Sequence, residues 1–158
     1  MDKKLVIRTP IETLLAFIEA YNKQDADGLC DLMAIDFNRV SGSTKWKHMS
    51  KEMYRDMSRR WNEAFIDSKW ELIDVLENGN TIVAEFFECG KFVKPYAIND
   101  NHVIQPNGKE YTARATVWFT FNQLGQIHTY RYYSDGGFGA AYGDVIAASG
   151  RKELSTPI

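Results

Sequence analysis

Apolar residues recur at three- and four-residue spacing through the first third of the chain and at two-residue spacing after it. Ile11, Leu14, Leu15, Ile18 and Tyr21 share one side of a helix that Pro10 opens, since proline loses nothing in a first turn, and Thr9 stands at its N-cap. Asn22–Asp25 interrupts this run. Ala26, Leu29, Cys30, Leu32 and Met33 resume it as a second short helix capped by Asp25. Phe37–Val40 reads as a short strand closed by a Ser41–Thr44 turn. Ser50 then precedes a third helix on which Met53, Tyr54, Met57, Trp61 and Phe65 share a face, with Lys51, Arg55, Arg59 and Arg60 mainly elsewhere.

From Lys69 the period is two. It predicts strands over Trp70–Glu77, Thr81–Val93, Tyr111–Phe121 and Ile127–Ser134, joined by an Asn78-Gly79-Asn80 turn, a long polar loop and a second turn. Four consecutive strands predict an antiparallel meander, and helices followed by a meander predict an α+β fold whose sheet curls around the helices. In the third of these strands Ala113, Ala115, Val117, Phe119 and Phe121 alternate with Thr112, Arg114, Thr116, Trp118 and Thr120, so the odd-numbered face is the buried one. A four-residue Asn122–Gly125 loop sets Phe119 opposite His128, Val117 opposite Tyr130 and Ala115 opposite Tyr132. A three-residue loop instead turns Thr129, Arg131 and Tyr133 inward, because a register slip of one residue exchanges the faces.

The chain's 158 residues, 44% of them hydrophobic, suit one domain spanning 1–158, with a core over about 9–145 and a tail over 146–158. A net charge of -2 supplies no cationic field, so nucleic acid is not an expected partner. No stretch approaches the roughly 18 apolar residues of a membrane span, and the N-terminus meets charge before any apolar segment develops, which predicts a soluble, cytoplasmic protein. Cys30 and Cys89 form no CxxC pair, and His48, His102 and His128 are far apart, so neither a disulfide framework nor a metal site is expected. The glycine-rich Gly136–Gly143 exit lacks the strand, helix and lysine context of a phosphate loop, and no cofactor is predicted. Aromatic residues make up 13% of the chain, enough for a dense core and compatible with a ligand cavity.

Phe17-Ile-Glu-Ala-Tyr-Asn22-Lys-Gln-Asp25-Ala-Asp27-Gly28-Leu29, followed by Asp36, resembles the opening of the nuclear transport factor 2-like superfamily, in particular its SnoaL-like polyketide cyclase and ketosteroid isomerase branch. Gly90 with Pro106-Asn107-Gly108-Lys109 resembles that branch's hairpin, and Gly125-Gln-Ile127, Tyr132-Tyr133-Ser134-Asp135 and Gly143 resemble its last strand and exit. The resemblance implies a cone-shaped, curved antiparallel sheet wrapped on three N-terminal helices, a cystatin-like roll with an apolar inner pocket. It also implies a homodimer through the outer sheet face. Where ketosteroid isomerases keep a helix tyrosine, a base aspartate and an oxyanion acid, this chain has Phe17, Ser41 and Val117; the limonene epoxide hydrolase arginine and aspartate fall on Ala115 and Val117. None of these five assignments supplies a proton-transfer group.

The family's cyclases place an acid/base aspartate near the end of the last strand, which here is Asp135. Turn placement explains Asp135 without a substrate, as a residue that accepts backbone hydrogen bonds beside Gly136. The expected catalytic set is therefore Asp135, His128 and Tyr132, and the expected ligand contacts are Phe17, Trp46, Trp61, Val117, Phe119 and Tyr130. Trp46 and His48 border the expected pocket mouth, while Phe17, Phe119 and Phe121 close its narrow end. Trp118 faces outward and marks the dimer surface. These residues suit a small, oxygenated, hydrophobic ligand, with cofactor-free isomerase, cyclase or lyase chemistry as one reading and a non-catalytic binding or dimerisation domain as the other.

Overall fold

The computed structural model describes residues 6–41, 47–99 and 102–135. Helix α1 covers Pro10–Asn22, α2 Ala26–Asp31 and α3 Lys51–Ala64. Their starts follow from local chemistry. Thr9 and Glu12 form a reciprocal capping box, while the Asp25 and Ser50 side chains accept from the Gly28 and Met53 backbone N–H groups. The strands are β1 Met33–Ser41, β2 Phe65–Asn78, β3 Thr81–Phe92, β4 Tyr96–Asn99, β5 His102–Ile104, β6 Glu110–Phe121 and β7 Ile127–Ser134.

Five strands form a curved sheet in the order β1-β7-β6-β3-β2. Pairing along β2, β3, β6 and β7 is antiparallel throughout, as the two-residue period predicts, and β1 adds in parallel to the edge of β7. The concave face meets α1 and α3 and holds most of the core, including Leu14, Phe17, Trp70, Phe86, Val117, Phe119 and Tyr130. A second cluster of Ala64, Phe65, Phe92, Ile104 and Tyr111, with Trp61 and Tyr96 against it, fills the other end.

Three expectations change. Leu32 and Met33 leave the second helix, since Met33 pairs with Ile127, whose N–H donates to the Leu32 carbonyl at 2.9 Å; sheet pairing outweighs one more turn of a six-residue helix. Likewise Phe65 begins β2 instead of ending α3. The polar loop before β6 contains the β4–β5 pair, anchored by Ile104 and Tyr96 in the second cluster.

The β6–β7 connection matches neither loop taken alone. Asn122 N–H donates to the Gln126 carbonyl and Gly125 adopts φ 73°, leaving a three-residue turn with a left-handed glycine at its end. Phe121 accordingly faces Ile127, which is fully buried. A bulge at His128 then shifts the ladder by one residue, so Phe119 pairs with Tyr130 and Val117 with Tyr132. The two tyrosines remain on the inner side, and His128 leaves it.

Candidate functional site

The inner face of β3 reads Ile82, Ala84, Phe86, Glu88, Gly90 and Phe92, a row of buried positions with one charge in it. Glu88 is 5% exposed. On the sheet it lies between Trp70 of β2 and Ala113 of β6. Because Ala113 and Ala115 are small, a tyrosine two strands away can lean across them. The Tyr132 hydroxyl donates to Glu88 Oε2 at 2.9 Å, and the Tyr21 hydroxyl, from α1, donates to Oε1 at 2.7 Å. The Trp70 indole Nε1 is buried nearby and favours the carboxylate, although it falls outside hydrogen-bond geometry.

Burial pushes the Glu88 carboxyl above its usual range, opposed by Tyr21, Tyr132, Trp70 and the more distant charge of Arg39. Burial also drives Tyr21 and Tyr132 well above the ordinary phenol range, with Glu88 adding to both. These phenols are therefore donors that stay protonated while Glu88 is the group that titrates. A carboxyl raised in the folded state stabilises the fold fully below its ordinary value near 4.5 and loses that contribution as pH rises through the raised value. Glu88→Gln removes this titration. The melting temperature of the variant minus that of the native protein should increase between about pH 4 and pH 7; a pH-independent difference would contradict the assigned environment.

One row along the sheet, Arg39 of β1 pairs with Tyr130 of β7. It is 6% exposed, donates from Nη1 to Ser41 Oγ at 3.2 Å, and lies over the rings of Tyr130, Tyr132 and Tyr54 at 5.2, 5.6 and 5.8 Å. Burial pushes the Tyr54 hydroxyl up to about 12, against the pull of Arg39. Glu88, Arg39, Tyr21, Tyr54, Tyr130, Tyr132 and Trp70 thus form a polar seam inside an aromatic interior. Neither charged residue figured in the expectations from sequence. The available signal was a lone charge at an inward position of an otherwise apolar alternation, at Glu88 after Ile82, Ala84 and Phe86 and at Arg39 after Phe37.

The expected site residues divide into several groups. Tyr130 and Tyr132 are in the seam, and Phe17, Val117 and Phe119 lie under it; Phe17 contacts Phe119 at 5.6 Å and Tyr130 at 6.1 Å between ring centroids. Phe119 and Phe121 are 6.1 Å apart, so the rings assigned to the narrow end are packed together there. Trp61 is elsewhere, stacked on Phe65 at 3.9 Å in the second cluster, because α3 turns its last turn away from the seam. The His128 side chain is 45% exposed at the bulge, with Nε2 3.2 Å from Asp36 Oδ2, contrary to its expected inward orientation. Asp135 is exposed just beyond β7, its backbone N–H bonded to the Arg114 carbonyl. Trp46 lies outside the described residues, and His48 is exposed.

A separate open depression of about 320 Å³ lies on the helical side, lined by Gln24, Asp25, Asp27, Arg59, Asn62 and Glu63. Asp27 there pairs with Arg55 and Arg59, an exposed network without the buried, titrating group of the seam. Among the described residues no three His, Cys, Asp or Glu side chains converge as a metal site requires. No helix of the described residues is long and apolar enough to cross a membrane.

The helices and curved sheet define a nuclear transport factor 2-like α+β fold. The model of the SnoaL-like domain matches residues 14–130, and the chain belongs to that family. No curated protein matches the sequence. Among solved structures, a proposed SnoaL-like polyketide cyclase from Jannaschia sp. CCS1 superposes with TM-score 0.68 at 17% identity, covering 100% of this chain and 99% of that one. IdmH, a proposed polyketide cyclase from Streptomyces antibioticus, gives 0.65 at 18% identity over 81% and 93%. A proposed polyketide cyclase from Pseudomonas putida KT2440 gives 0.64 at 21% over 80% and 91%. At such identities the likeness carries the fold, and the chemistry must come from this chain's own side chains.

Proposed function

We propose that the chain binds a small, oxygenated, largely apolar molecule at the concave face and moves a proton on it, in an isomerase-, cyclase- or lyase-type reaction without a cofactor. The observation that carries this reading is Glu88, a buried carboxyl held by Tyr21 and Tyr132 on an inner sheet face. A carboxyl raised above its ordinary range by burial and oriented by two phenols is suited to abstracting a proton beside a carbonyl and returning it. Tyr130 then donates to the oxygen on which negative charge develops, while the single Tyr132 O–H stays on Glu88. Asp135 was the expected acid/base group, but Glu88 is the better choice because burial tunes it and phenols orient it. The polyketide cyclase descriptions of the similar structures are in keeping with such chemistry.

Deuterium exchange at C1 of 2-tetralone, followed by NMR in D2O, tests the reading. Glu88 takes the C1 proton, the enolate forms, and a deuteron returns to the same carbon. Native protein should accelerate exchange, and Glu88→Gln should lower the acceleration by about a hundredfold or more, the usual contribution of a positioned base. Ligand-induced thermal stabilisation with equal exchange in both proteins would favour the non-catalytic binding domain.

We also propose a homodimer through the outer sheet face. Phe87, Trp118 and Tyr133 are each at least 40% exposed there, with Arg131 5.0 Å from the Trp118 ring centroid. Trp118→Glu should shift sedimentation towards the monomer; a monomeric native protein would refute the proposal.

A further inference from the structure

Arg39 is a buried cation on the same inner face, and no step of the proton transfer uses it. Taking a guanidinium out of water is costly unless it is paired. Among the described residues no carboxylate forms an ion pair with it, and Glu88 acts on it only at longer range. The three tyrosine rings lie within 5.2–5.8 Å of the guanidinium carbon, near enough for cation–π attraction, and against the burial that raises the Tyr130 hydroxyl Arg39 draws it down by a hydrogen bond. Of the N–H groups in the guanidinium plane, Nη1 serves Ser41. Nε is buried and has no hydrogen-bond partner. An in-plane Nε–H is one prong of the fork by which arginine receives a carboxylate.

Trp70 Nε1 falls outside hydrogen-bond geometry but has Glu88 as its acceptor nearby and favours that carboxylate, so it makes no demand of its own on a ligand. With Tyr21, Tyr132 and Trp70 all directed at Glu88, the in-plane Nε–H of Arg39 is the seam donor left without an acceptor among the described residues. Such a donor is complemented by an acceptor, and on a full cation by an anionic one.

We infer that the ligand of the concave face is an aromatic carboxylate, its carboxylate received by Arg39 and its ring set beside the tyrosines. The inference rests on the proposed binding role of the concave face and adds to it the charge of the ligand. Arg39 acts as a specificity residue, separate from the group that moves the proton.

The probes are 2-naphthoate and 2-naphthamide, nearly equal in size and different in charge, titrated by calorimetry into native protein, Arg39→Met and Arg39→Lys at one pH and ionic strength. Native protein should prefer the acid by about tenfold to a hundredfold, the range for a hydrogen bond to a charged group. Arg39→Met fills a similar volume without burying a charge, so it should fold; its preference should vanish or reverse while 2-naphthamide binding persists. Arg39→Lys keeps the charge but not the planar fork and should retain only part of the preference. Equal affinities in native protein, or an acid preference that survives in Arg39→Met, would overturn the inference. If 2-naphthamide binds and 2-tetralone exchange still depends on Glu88 while native protein shows no acid preference, this inference fails and the proposed function stands. If neither probe binds and no exchange is accelerated, both fall.

Discussion

Gly125→Ala should lower the melting temperature by roughly 4–12 °C, at the 2–4 °C per kcal/mol expected for a chain of this length. Gly125 has φ 73°, a conformation that costs an L-residue about 1–2 kcal/mol. It is also where the segment before α1 docks. A Cβ there would overlap the Arg8 carbonyl, which is main chain and cannot simply rotate aside. Arg8 N–H donates to the Leu124 carbonyl at 3.4 Å and Thr13 Oγ1 to the Gly125 carbonyl at 2.6 Å, so moving Arg8 strains contacts that tie α1 to the β6–β7 turn. Loss of a hydrogen bond adds about 1 kcal/mol, giving about 2–3 kcal/mol in all. Gly79→Ala is the matched control. Its φ is 60° and nothing lies within 4 Å of a Cβ built there, so it carries the conformational cost alone. Thermal melts in which the two variants lose equal stability would show that the Arg8 contact contributes nothing.

This same turn shows why part of the site was hidden in the sequence. Helix starts depend on a cap and a few residues after it, and Thr9, Asp25 and Ser50 announced all three. The inward face of β6 was equally readable, since its alternation is unbroken from Tyr111 to Phe121. The face of β7 depended on two events whose effects partly cancel, a three-residue loop and a bulge one residue into the ladder. Tyr130 and Tyr132 therefore stay inside with partners displaced by two residues, while Ile127 takes the buried place expected for His128. Nothing local encodes that bulge.

Glu88 and Arg39 were missed for a different reason. A charged residue in an alternating strand is ordinarily assigned to solvent, and its burial depends on partners remote in sequence, here Tyr21 and Tyr132 for the carboxyl and three tyrosines for the guanidinium. The β1 edge behaves likewise: its parallel pairing with β7 brings Arg39 beside Tyr130 across most of the chain. What the aromatic content did indicate was the material of the interior. It could not indicate that four of its tyrosines surround two charges.

Phe17→Ala should cost about 3–5 kcal/mol, the usual loss for a buried phenylalanine ring and a large part of the 5–15 kcal/mol that holds a domain folded. The ring is fully buried where α1 crosses the sheet, with Trp70 at 5.4 Å, Phe119 at 5.6 Å and Tyr130 at 6.1 Å between centroids. Those neighbours come from β2, β6 and β7, so no single side chain can move in to fill the space. Leu15, two positions away and 53% exposed, should lose no more than about 0.5 kcal/mol on the same truncation. The vacated volume is walled by aromatic rings, and a small apolar guest such as indole should enter it and restore part of the melting temperature in proportion to its occupancy. Denaturant unfolding with and without indole reads both effects. A loss below 1 kcal/mol would mean that Phe17 is not packed as described, and a reduced loss with no recovery by indole would mean that the neighbouring rings collapse into the gap. Either result bears on the seam, because Tyr130 rests on Phe17 and carries Arg39 on its ring.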